Sequence, residues 1–460
     1  MPPAVLTWEI CRNYIGDYLF GGKTEPLQKA MENIGLELES FPYTIDPQSG
    51  IQPVNQPGEN NKLPQALITA CERKGGTAIY QNQEKHTGQS AFLPVAITFP
   101  DGCNFQFEPG GQVEISTAPC NSLEKAMAQL LSRQEILQLL SQHSNIHFAQ
   151  FGTNPWFTVE EIGMQMNKTR YRAMAQYFDR ISSFGRQMML QTCSLQVNLD
   201  TGKDWDTRVK RVVTANLLAP FALALFANSC ITAGKLNGFQ SHRSLIWQRL
   251  DNTRTGVLPM DKLSKSLDKD TLIDAYLGFA LKAPVIFIEE FGDHVFPPAI
   301  TLEYWLTNPV NGLSPTLSHL KNHLSLLFPE VRLKGYMEIR SADAPPQEWQ
   351  IIPALFYCGL LYNQQQLEKS LELLLPFASQ MPSLLQKATL GLADDQLFIT
   401  GKNLLQLSIE GLIALPASFA SEKTVRQMIN FSEKFTLQRK TFADECLDRY
   451  RKDKMFFAGK

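Results

Sequence analysis

The feature of this sequence that most constrains its fold is an alternation of apolar residues with acidic or amide residues. Its first instance is "IGLELES", which alternates Ile34, Leu36 and Leu38 with Glu37 and Glu39. Successive side chains of a β-strand point to opposite faces, so a strand here has one apolar face and one face with two neighbouring carboxylates. Adjacent like charges disfavour each other's ionised form. The pattern therefore indicates either a strand whose polar face is solvated or a site that needs both carboxylates.

The same alternation occurs in three later segments, "FEPGGQVEIS", "QTCSLQVNLD" and "EVRLKGYMEIRSAD". Their polar positions include Glu108, Gln112 and Glu114 in the first, Gln196 and Asn198 in the second, and Glu338 and Arg340 in the third. Each pair alone is compatible with a solvated sheet face. Exposed faces usually mix lysine, threonine and serine with acids, whereas these combine glutamate, glutamine and asparagine almost without lysine. Collected on one sheet, they predict a site for Mg²⁺, which prefers oxygen ligands and often bridges carboxylates to nucleotide phosphates.

A second set of residues is cationic. The segment "NGFQSHRSLIWQRLDNTRTGVLP" places Arg243, Arg249 and Arg254 beside Trp247, and "NKTRYRAM" adds Lys168, Arg170 and Arg172. Guanidinium groups bind carboxylate and phosphate oxygens in a bidentate manner. For any single arginine the alternative is a solvated surface charge, since most exposed lysine and arginine side chains contact only water. Together with the tryptophan, the set favours a binding site for small anionic ligands.

The overall charge and hydropathy argue against several kinds of partner. The 460 residues include 43 lysines and arginines against 45 aspartates and glutamates, a formal net charge of −2, which gives no general attraction to nucleic acid or to an anionic membrane. The most apolar window, residues 212–230, is interrupted by Asn216, Pro220 and Asn228. It therefore predicts a buried helix rather than a membrane span.

The cysteines and the N-terminal residues predict a cytoplasmic location. The eight cysteines are dispersed without a CxxC pair, which suggests neither a zinc site nor a disulfide framework. Glu9, Arg12 and Asp17 interrupt the stretch where a secretion signal needs an apolar core. A reducing compartment fits both observations best.

Motifs for covalent catalysis and for standard nucleotide-binding loops are missing from the sequence. There is no GxSxG and no GxGxxG, and "GDYLFGGKT" is out of step by one residue with the phosphate-binding loop that it resembles. His242 and His323 are interpreted as hydrogen-bonding or packing residues rather than zinc ligands. A nucleotide, if the protein uses one, then needs another binding device, such as a metal ion.

The order of the predicted elements indicates an α+β fold. Strands are predicted in residues 75–83, 92–100 and 105–116 after a surface loop at 47–62, and a helix begins at Asn121, which with Glu124 forms a capping-box pattern. After about residue 345 the pattern is mostly helical. Strands and helices do not alternate regularly, which argues against a doubly wound parallel sheet. We expect a catalytic core over residues 1–345 and a helical C-terminal region over 346–460.

At the level of whole segments, the chain resembles the plant-type glutamate-cysteine ligases. The matching blocks are "IGLELE", "FEPGGQVEISTAP", "TRYRAMAQYF", "FGRQMMLQTCSLQVNLD", "ALFANSCITAGKLNGFQSHRSLIWQRLDNTRTGVLP" and "NHLSLLFPEVRLKGYMEIRSAD". They occur in family order from about residue 15 to residue 360. The resemblance implies a glutamine-synthetase-like core, an antiparallel sheet that forms a funnel with helices outside. It also implies that ATP phosphorylates the γ-carboxylate of L-glutamate and that the amine of L-cysteine then attacks the γ-glutamyl phosphate.

The resemblance implies roles for the polar and cationic residues. Two or more Mg²⁺ ions would be held by Glu37, Glu39, Glu108, Glu114 and Glu338. The nucleotide would contact Gln196, Asn198 and Arg340, and Arg340 with Glu338 would act on the transferring phosphoryl group. The amino-acid substrates would be bound by Arg243, Trp247, Arg254 and Arg170. ATP is a co-substrate in this scheme.

The resemblance has limits, and other functions stay open at this point. Plant members carry a regulatory cysteine pair in the region that corresponds to residues 291–315, where this chain has no cysteine. Redox control through that hairpin is therefore not expected, and the oligomeric state is not predicted. The alternatives are a γ-glutamyl ligase that uses another amine, a non-catalytic nucleotide or amino-acid sensor, and a metal-storage protein.

Overall fold

A computed structural model describes residues 4–21, 32–54, 62–82, 92–166 and 168–459. Its centre is one large antiparallel sheet, in which ten strands are present among these residues. The spatial order is β13-β14-β8-β1-β6-β5-β4-β3, and β2 and β7 also pair with β1. The strands are β1 (Ile34–Asp46), β2 (Gly50–Gln52), β3 (Thr77–Asn82), β4 (Phe92–Thr98), β5 (Asn104–Phe107), β6 (Val113–Ser116), β7 (His147–Ala149), β8 (Ser194–Leu199), β9 (Ile231–Thr232), β10 (Lys235–Leu236), β11 (Thr255–Gly256), β12 (Phe328–Pro329), β13 (Val331–Leu333) and β14 (Met337–Asp343).

Helices account for most of the remaining described chain. The α-helices are α1 (Trp8–Tyr14), α2 (Lys62–Glu72), α3 (Leu123–Ser144), α4 (Val159–Ile162), α5 (Thr169–Ile181), α6 (Gly185–Gln191), α7 (Trp205–Leu225), α8 (His242–Gln248), α9 (Met260–Leu263), α10 (Lys269–Lys282), α11 (Leu302–Thr307), α12 (Leu317–Leu324), α13 (Ile352–Leu361), α14 (Gln364–Leu374), α15 (Met381–Ala388), α16 (Asp395–Ala414), α17 (Glu422–Lys434), α18 (Phe442–Lys452) and α19 (Lys454–Phe457). A π-helical turn follows α1 at Ile15–Leu19. Short 3-10 helices occupy Glu289–Phe291, Gln347–Trp349, Leu375–Gln380, Gly391–Ala393 and Thr436–Gln438.

The apolar positions of the alternating segments form one face of the sheet and join the hydrophobic core. Leu36 and Leu38 of β1, Val197 of β8 and Ile339 of β14 are at most 1% exposed. Helix α7 packs against β13 and β14, and α13 packs against β8. The apolar window that the sequence singled out lies largely in α7, whose residues from Arg211 to Leu225 are all buried. It is therefore a buried helix, and none of the described helices is long and apolar enough to cross a membrane.

The predicted α+β fold, an antiparallel sheet flanked by helices with a helical C-terminal region, is confirmed. Three local predictions are corrected. The strand expected over residues 105–116 is two antiparallel strands, β5 and β6, joined by a turn. The segment 47–62 contains the short strand β2 and the start of α2, while its residues 55–61 lie outside the described chain. The N-cap of α3 is Ser122 rather than Asn121, because the Ser122 hydroxyl accepts a hydrogen bond from the backbone amide of Lys125. Residues 22–24 of "GDYLFGGKT" also lie outside the described residues, and the domain boundary at 345 stays a prediction.

Two helices of the C-terminal region cross at unusually close range because glycines face each other. A Cβ atom at Gly359 of α13 would lie 2.2 Å from the backbone oxygen of Ser408 on α16. One at Gly411 would lie 1.9 Å from the Gly359 oxygen. The Ser408 hydroxyl donates to the carbonyls of Leu355 and Phe356 at 3.1 Å, which ties the two helices together. Any side chain at either glycine must separate the helices.

We therefore expect Gly359→Ala to lower the free energy of unfolding by about 2 kcal/mol, within the range of overpacked cores. The measurement is denaturant unfolding followed by circular dichroism. The matched control is Gly278→Ala in α10, where an added Cβ meets nothing within 4 Å. There we expect a gain of up to about 1 kcal/mol from helix propensity. Equal effects of the two variants would contradict the close crossing of α13 and α16.

Candidate active site

The polar positions of the alternating segments lie side by side on the second face of the sheet. The directly opposite pairs are Glu37 with Gln196, Glu39 with Glu114, and Glu338 with Asn198. Cross-strand partners share a face, so four strands contribute to one polar surface. Glu108 follows β5 and is close enough to influence the charge of Glu39. We call Glu37, Glu39, Glu108 and Glu114 the acidic face.

Amide and hydroxyl groups of the neighbouring strands orient the acidic face. Asn198 Nδ2 donates to Glu37 Oε1 at 2.8 Å. The Ser194 backbone amide donates to Glu39 Oε2 at 2.6 Å, and Gln196 Nε2 lies 3.4 Å from Glu39 Oε1. The Ser116 hydroxyl donates to Glu114 Oε1 at 3.1 Å. These contacts use the neutral partners that strand pairing provides, so they orient the carboxylates without neutralising them.

Burial disfavours the charged form throughout the acidic face, and neighbouring carboxylates, Glu338 included, add to this effect. Burial and the nearby Glu108 raise the pKa of Glu39 to about 7, against the opposing effect of Arg243 and Arg340. Burial, followed by the charges of the other glutamates, raises the pKa of Glu114 well above its usual value. The pKa values of Glu37 and Glu108 are raised as well, mainly by burial. Without a bound cation, the environment of the acidic face therefore favours the protonated form of its carboxyl groups.

Glu338 differs from the acidic face because three cations surround it. Arg340 Nη1 and Arg332 Nη2 each lie 2.7 Å from Glu338 Oε1, and Lys334 also pairs with Glu338. Burial alone would raise the pKa of Glu338, but these positive charges outweigh burial and lower it. Its carboxylate is therefore already neutralised by the protein. Its predicted role as a metal ligand has less support from the geometry than the same role for the acidic face.

Magnesium fits the chemistry of the acidic face. The donors are all oxygens, and Asn198 Oδ1, next to Glu37, is buried without a hydrogen-bond partner in the described structure. The side chains do not form a ready cage: among the described residues no group of three or more His, Cys, Asp or Glu is placed to hold a metal ion. Mg²⁺ usually takes only one or two carboxylates and completes its shell with water and phosphate oxygens. The arrangement suits an ion that arrives with a phosphate ligand.

Arg340 follows Glu338 by two positions in β14, so it faces the same side of the sheet, and it lies at an irregularity of the strand. The pairing of β14 with β8 shifts by one residue between Ile339 and Ala342, which marks a β-bulge. Arg340 Nη1 donates to Gln196 Oε1 at 2.9 Å and to Glu338 Oε1 at 2.7 Å. Its guanidinium also lies over the ring of Trp247, 5.4 Å from the centroid. These contacts fix the Arg340 guanidinium beside the acidic face.

Arg243 and Trp247 reach the same place from the first two turns of α8. Arg243 Nη2 donates to the backbone carbonyl of Arg340 at 2.8 Å. Trp247 packs against Phe328, and its Nε1 is buried without a partner in the part of the chain that the structure describes. An unpartnered buried donor next to two guanidinium groups favours an anionic ligand. The sequence prediction that Arg243 and Trp247 belong together is consistent with this placement.

The remaining predicted substrate residues separate into two cases. Arg170 Nη2 donates to the Ser325 carbonyl at 2.7 Å, and its buried Nε has no partner among the described residues. Arg170 and Lys168 both lie within electrostatic range of Glu108, so they border the acidic face. Arg254 is a correction: it is fully buried. Its guanidinium donates hydrogen bonds to the Asp251 carboxylate and to two backbone carbonyls, which indicates a structural role.

Two cations of the site escaped the sequence analysis. Arg332 lies on β13 directly opposite Glu338, and Lys334 follows it at the turn. The turn is tight because Gly335 adopts a positive φ of 85°. The signal was present as "VRLKGYMEIR", in which Arg332 and Lys334 alternate with apolar residues before a glycine turn. Recognising the hairpin would have paired both cations with Glu338.

Residues 73–394 match the sequence model of glutamate-cysteine ligase family 2, which is more than half of the chain. The chain belongs to this family. The family match includes every site residue discussed above from Glu108 onward, whereas Glu37 and Glu39 precede it. Those two residues are tied to the site by the register of β1 with β6 and β8.

Curated relatives of this chain are named glutamate-cysteine ligase. Chloroplastic glutamate-cysteine ligase of Brassica juncea is 38% identical over 275 residues, covering 59% of this chain and 52% of the relative. That of Nicotiana tabacum is 33% identical over 320 residues, covering 67% of this chain and 60% of the relative. The chain thus spans about half to three fifths of the length of the curated relatives it matches.

Solved structures include a distant likeness. Glutamate-cysteine ligase from Francisella tularensis in complex with AMP aligns with 94% of this chain and 90% of its own, at 12% identity and a TM-score of 0.47.

For the acidic face of this family 2 member we expect Mg²⁺ to stabilise the folded protein, because an ion that binds only the folded state raises the melting temperature. Protein treated with a chelator should melt a few degrees higher once Mg²⁺ and ATP are added. In Glu39→Gln that rise should fall to about half or less. The measurement is differential scanning fluorimetry.

The matched control for this prediction is Glu410→Gln, a carboxylate on α16 whose side chain is 42% exposed. It should keep the full rise in melting temperature. An unchanged rise in Glu39→Gln would remove Glu39 from the metal site.

Proposed function

We propose that this protein is an ATP-dependent ligase that joins the γ-carboxylate of L-glutamate to the amine of L-cysteine. The products are γ-glutamylcysteine, ADP and phosphate. The observation that carries the proposal is the placement, in a member of this family, of adjacent carboxylates on one sheet surface beside Arg340 of the same sheet and Arg243 of α8. A site of this composition suits a cation, a polyphosphate and a carboxylate together.

The first step is transfer of the γ-phosphoryl group of ATP to the γ-carboxylate of glutamate, which releases ADP. Bound magnesium, held by the acidic face, would neutralise phosphate charge and reduce repulsion from the attacking carboxylate. Arg340 stabilises the charge that develops on the transferring group, while Glu338 and Gln196 keep its guanidinium in place. Positioning and electrostatics carry most of phosphoryl transfer, so no side-chain nucleophile is needed.

The second step is acyl transfer. The neutral amine of the acceptor forms a bond to the acyl carbon of γ-glutamyl phosphate. The bond between that carbon and the bridging oxygen breaks, phosphate leaves, and the nitrogen releases a proton to phosphate or solvent. Arg243 holds the α-carboxylate of glutamate, and Trp247 provides an apolar wall beside it. Arg170 borders the acidic face and serves either the nucleotide or an amino-acid substrate.

The proposed compartment is the reducing cytoplasm. All eight cysteines are free thiols and all are buried. Free thiols persist in reducing compartments. The names of the plant relatives place those proteins in the chloroplast.

The experiment that tests the function is ADP release by the purified protein with ATP, Mg²⁺ and L-glutamate, with and without L-cysteine. Mass spectrometry identifies the product. Cysteine-dependent ADP release with γ-glutamylcysteine supports the proposal. Release that depends on a different amine would replace cysteine by that amine, and no release with any amine would leave a non-catalytic binder.

For Arg243→Ala we expect the KM for glutamate to rise about tenfold or more, because a lost charge-assisted hydrogen bond is worth about 1.5–3 kcal/mol. The KM for ATP should change much less. Steady-state kinetics with each substrate varied in turn gives the comparison. The control Arg249→Ala changes an exposed arginine immediately after α8 and should leave both constants within about twofold. A selective loss of ATP affinity in Arg243→Ala would contradict the assignment.

A further inference from the structure

One buried carboxylate near the site is not used by the proposed mechanism. Asp343 is the last residue of β14 and is 1% exposed. In an unbroken strand it would face away from Arg340, three positions earlier, because faces alternate. The bulge before Ala342 adds one residue, so Asp343 instead pairs with Ser194 and faces the same side as Gln196. The bulge thus places the Asp343 side chain on the same polar surface as Arg340.

Asp343 contacts two segments that are separated in sequence, the loop after α7 and the start of α8. Its Oδ2 accepts from the Asn228 amide at 2.8 Å and from the Ser229 hydroxyl at 2.7 Å. Its Oδ1 accepts from the Ser241 hydroxyl at 3.1 Å and lies 3.6 Å from Arg243 Nη1. The loop after α7 and the start of α8 are therefore fixed to one carboxylate. Each oxygen is occupied by donors of this chain, which leaves no room for a substrate group on Asp343 itself.

The surrounding backbone is shaped around this carboxylate. A Cβ atom at Gly152 would lie 2.4 Å from Asp343 Cγ, so only glycine fits there. Gly152 itself donates its backbone amide to the Asn228 carbonyl at 2.8 Å. Burial raises the pKa of Asp343, and Arg243 with the three hydrogen-bond donors opposes that rise. The carboxylate is thus enclosed on all sides by groups that hold it in one orientation.

The partners of Asp343 determine where Arg243 points. Asp343 attracts Nη1 from one side, and the Arg340 carbonyl accepts from Nη2 at 2.8 Å on another. The Arg243 amide also donates to the Ser229 hydroxyl at 3.1 Å, the same hydroxyl that donates to Asp343. Arg243 also acts electrostatically on Glu39 of the acidic face. The guanidinium of Arg243 is therefore held by Asp343 and the Arg340 carbonyl, and its backbone by Ser229, within electrostatic range of the acidic face.

We propose that Asp343 is a positioning residue that acts through Arg243, holding its guanidinium in the orientation that grips the α-carboxylate of glutamate. This inference rests on the proposed function. It assigns part of the glutamate specificity to a residue that touches no substrate. Because the effect passes through Arg243, the loss of Asp343 should weaken glutamate binding and spare ATP.

The test is Asp343→Asn, which preserves the shape and an acceptor for the Asn228 amide while removing the charge that faces Arg243. We expect the Kd of L-glutamate, measured by calorimetry, and the KM for L-glutamate to rise about tenfold, and the KM for ATP to stay within about twofold. In an Arg243→Ala background, Asp343→Asn should add little, since a residue that acts through Arg243 has nothing left to position. Ser229→Ala, which deletes one donor, should raise the same glutamate constants several-fold and serves if Asp343→Asn does not fold.

The matched control is Glu124→Gln, a carboxylate remote from the site that also accepts a backbone amide and a hydroxyl, from Ser421 and Thr424. It should lower stability and leave both KM values unchanged. Additive effects of Asp343→Asn and Arg243→Ala, or parallel changes in glutamate and ATP constants, would overturn the inference. Calorimetry needs no turnover, so glutamate binding that is weakened in Asp343→Asn supports the inference even if cysteine proves not to be the acceptor. A wild-type protein that binds no glutamate would overturn it together with the proposed glutamate site.

Discussion

The crowding of carboxylates on one sheet surface is the constraint on which the rest of this site depends. Glu37, Glu39, Glu108 and Glu114 lie on or beside adjacent strands, and removal from water, with the charges of neighbouring carboxylates, raises their pKa values. A protein tolerates such a cluster when ligands supply the missing positive charge. The crowding of these carboxylates is therefore better explained by binding than by stability. It makes the acidic face suited to a cation that brings a polyphosphate with it.

The positive side of the site is built in the opposite way. Glu338 is saturated by Arg332, Lys334 and Arg340, so its charge serves to orient guanidinium groups. The bulge in β14 then allows Arg340 and Asp343 to face the same surface, and Asp343 in turn positions Arg243. Glu338 and Asp343 thus have different roles from the carboxylates of the acidic face. Each of the two is paired with cationic side chains of the protein itself, three at Glu338 and one at Asp343.

Much of the fold and part of the site could be predicted from the sequence. The period-two alternation identified β1, β6, β8 and β14 and the face that each turns to the core, because strand geometry leaves only two faces. Helix caps were less predictable. Asn121 and Ser122 are both residue types that cap helices well, and the structure uses Ser122, whose hydroxyl accepts a hydrogen bond from the Lys125 amide. Arg254 was assigned to substrate from its neighbours in sequence, whereas its partners Leu326 and Pro284 come from distant segments.

By itself the sequence determined which residues share a face within each regular stretch of strand, since that depends only on the alternation along the chain. It also placed the chain among the glutamate-cysteine ligases through ordered blocks of residues. Only the tertiary structure decided which carboxylates are neutralised, which arginines are enclosed and where the bulge redirects β14. Those outcomes depend on contacts between strands and helices far apart in the chain, such as Arg243 with Asp343 and Glu39 with Ser194. Charge compensation is a property of the assembled surface, and no single segment contains it.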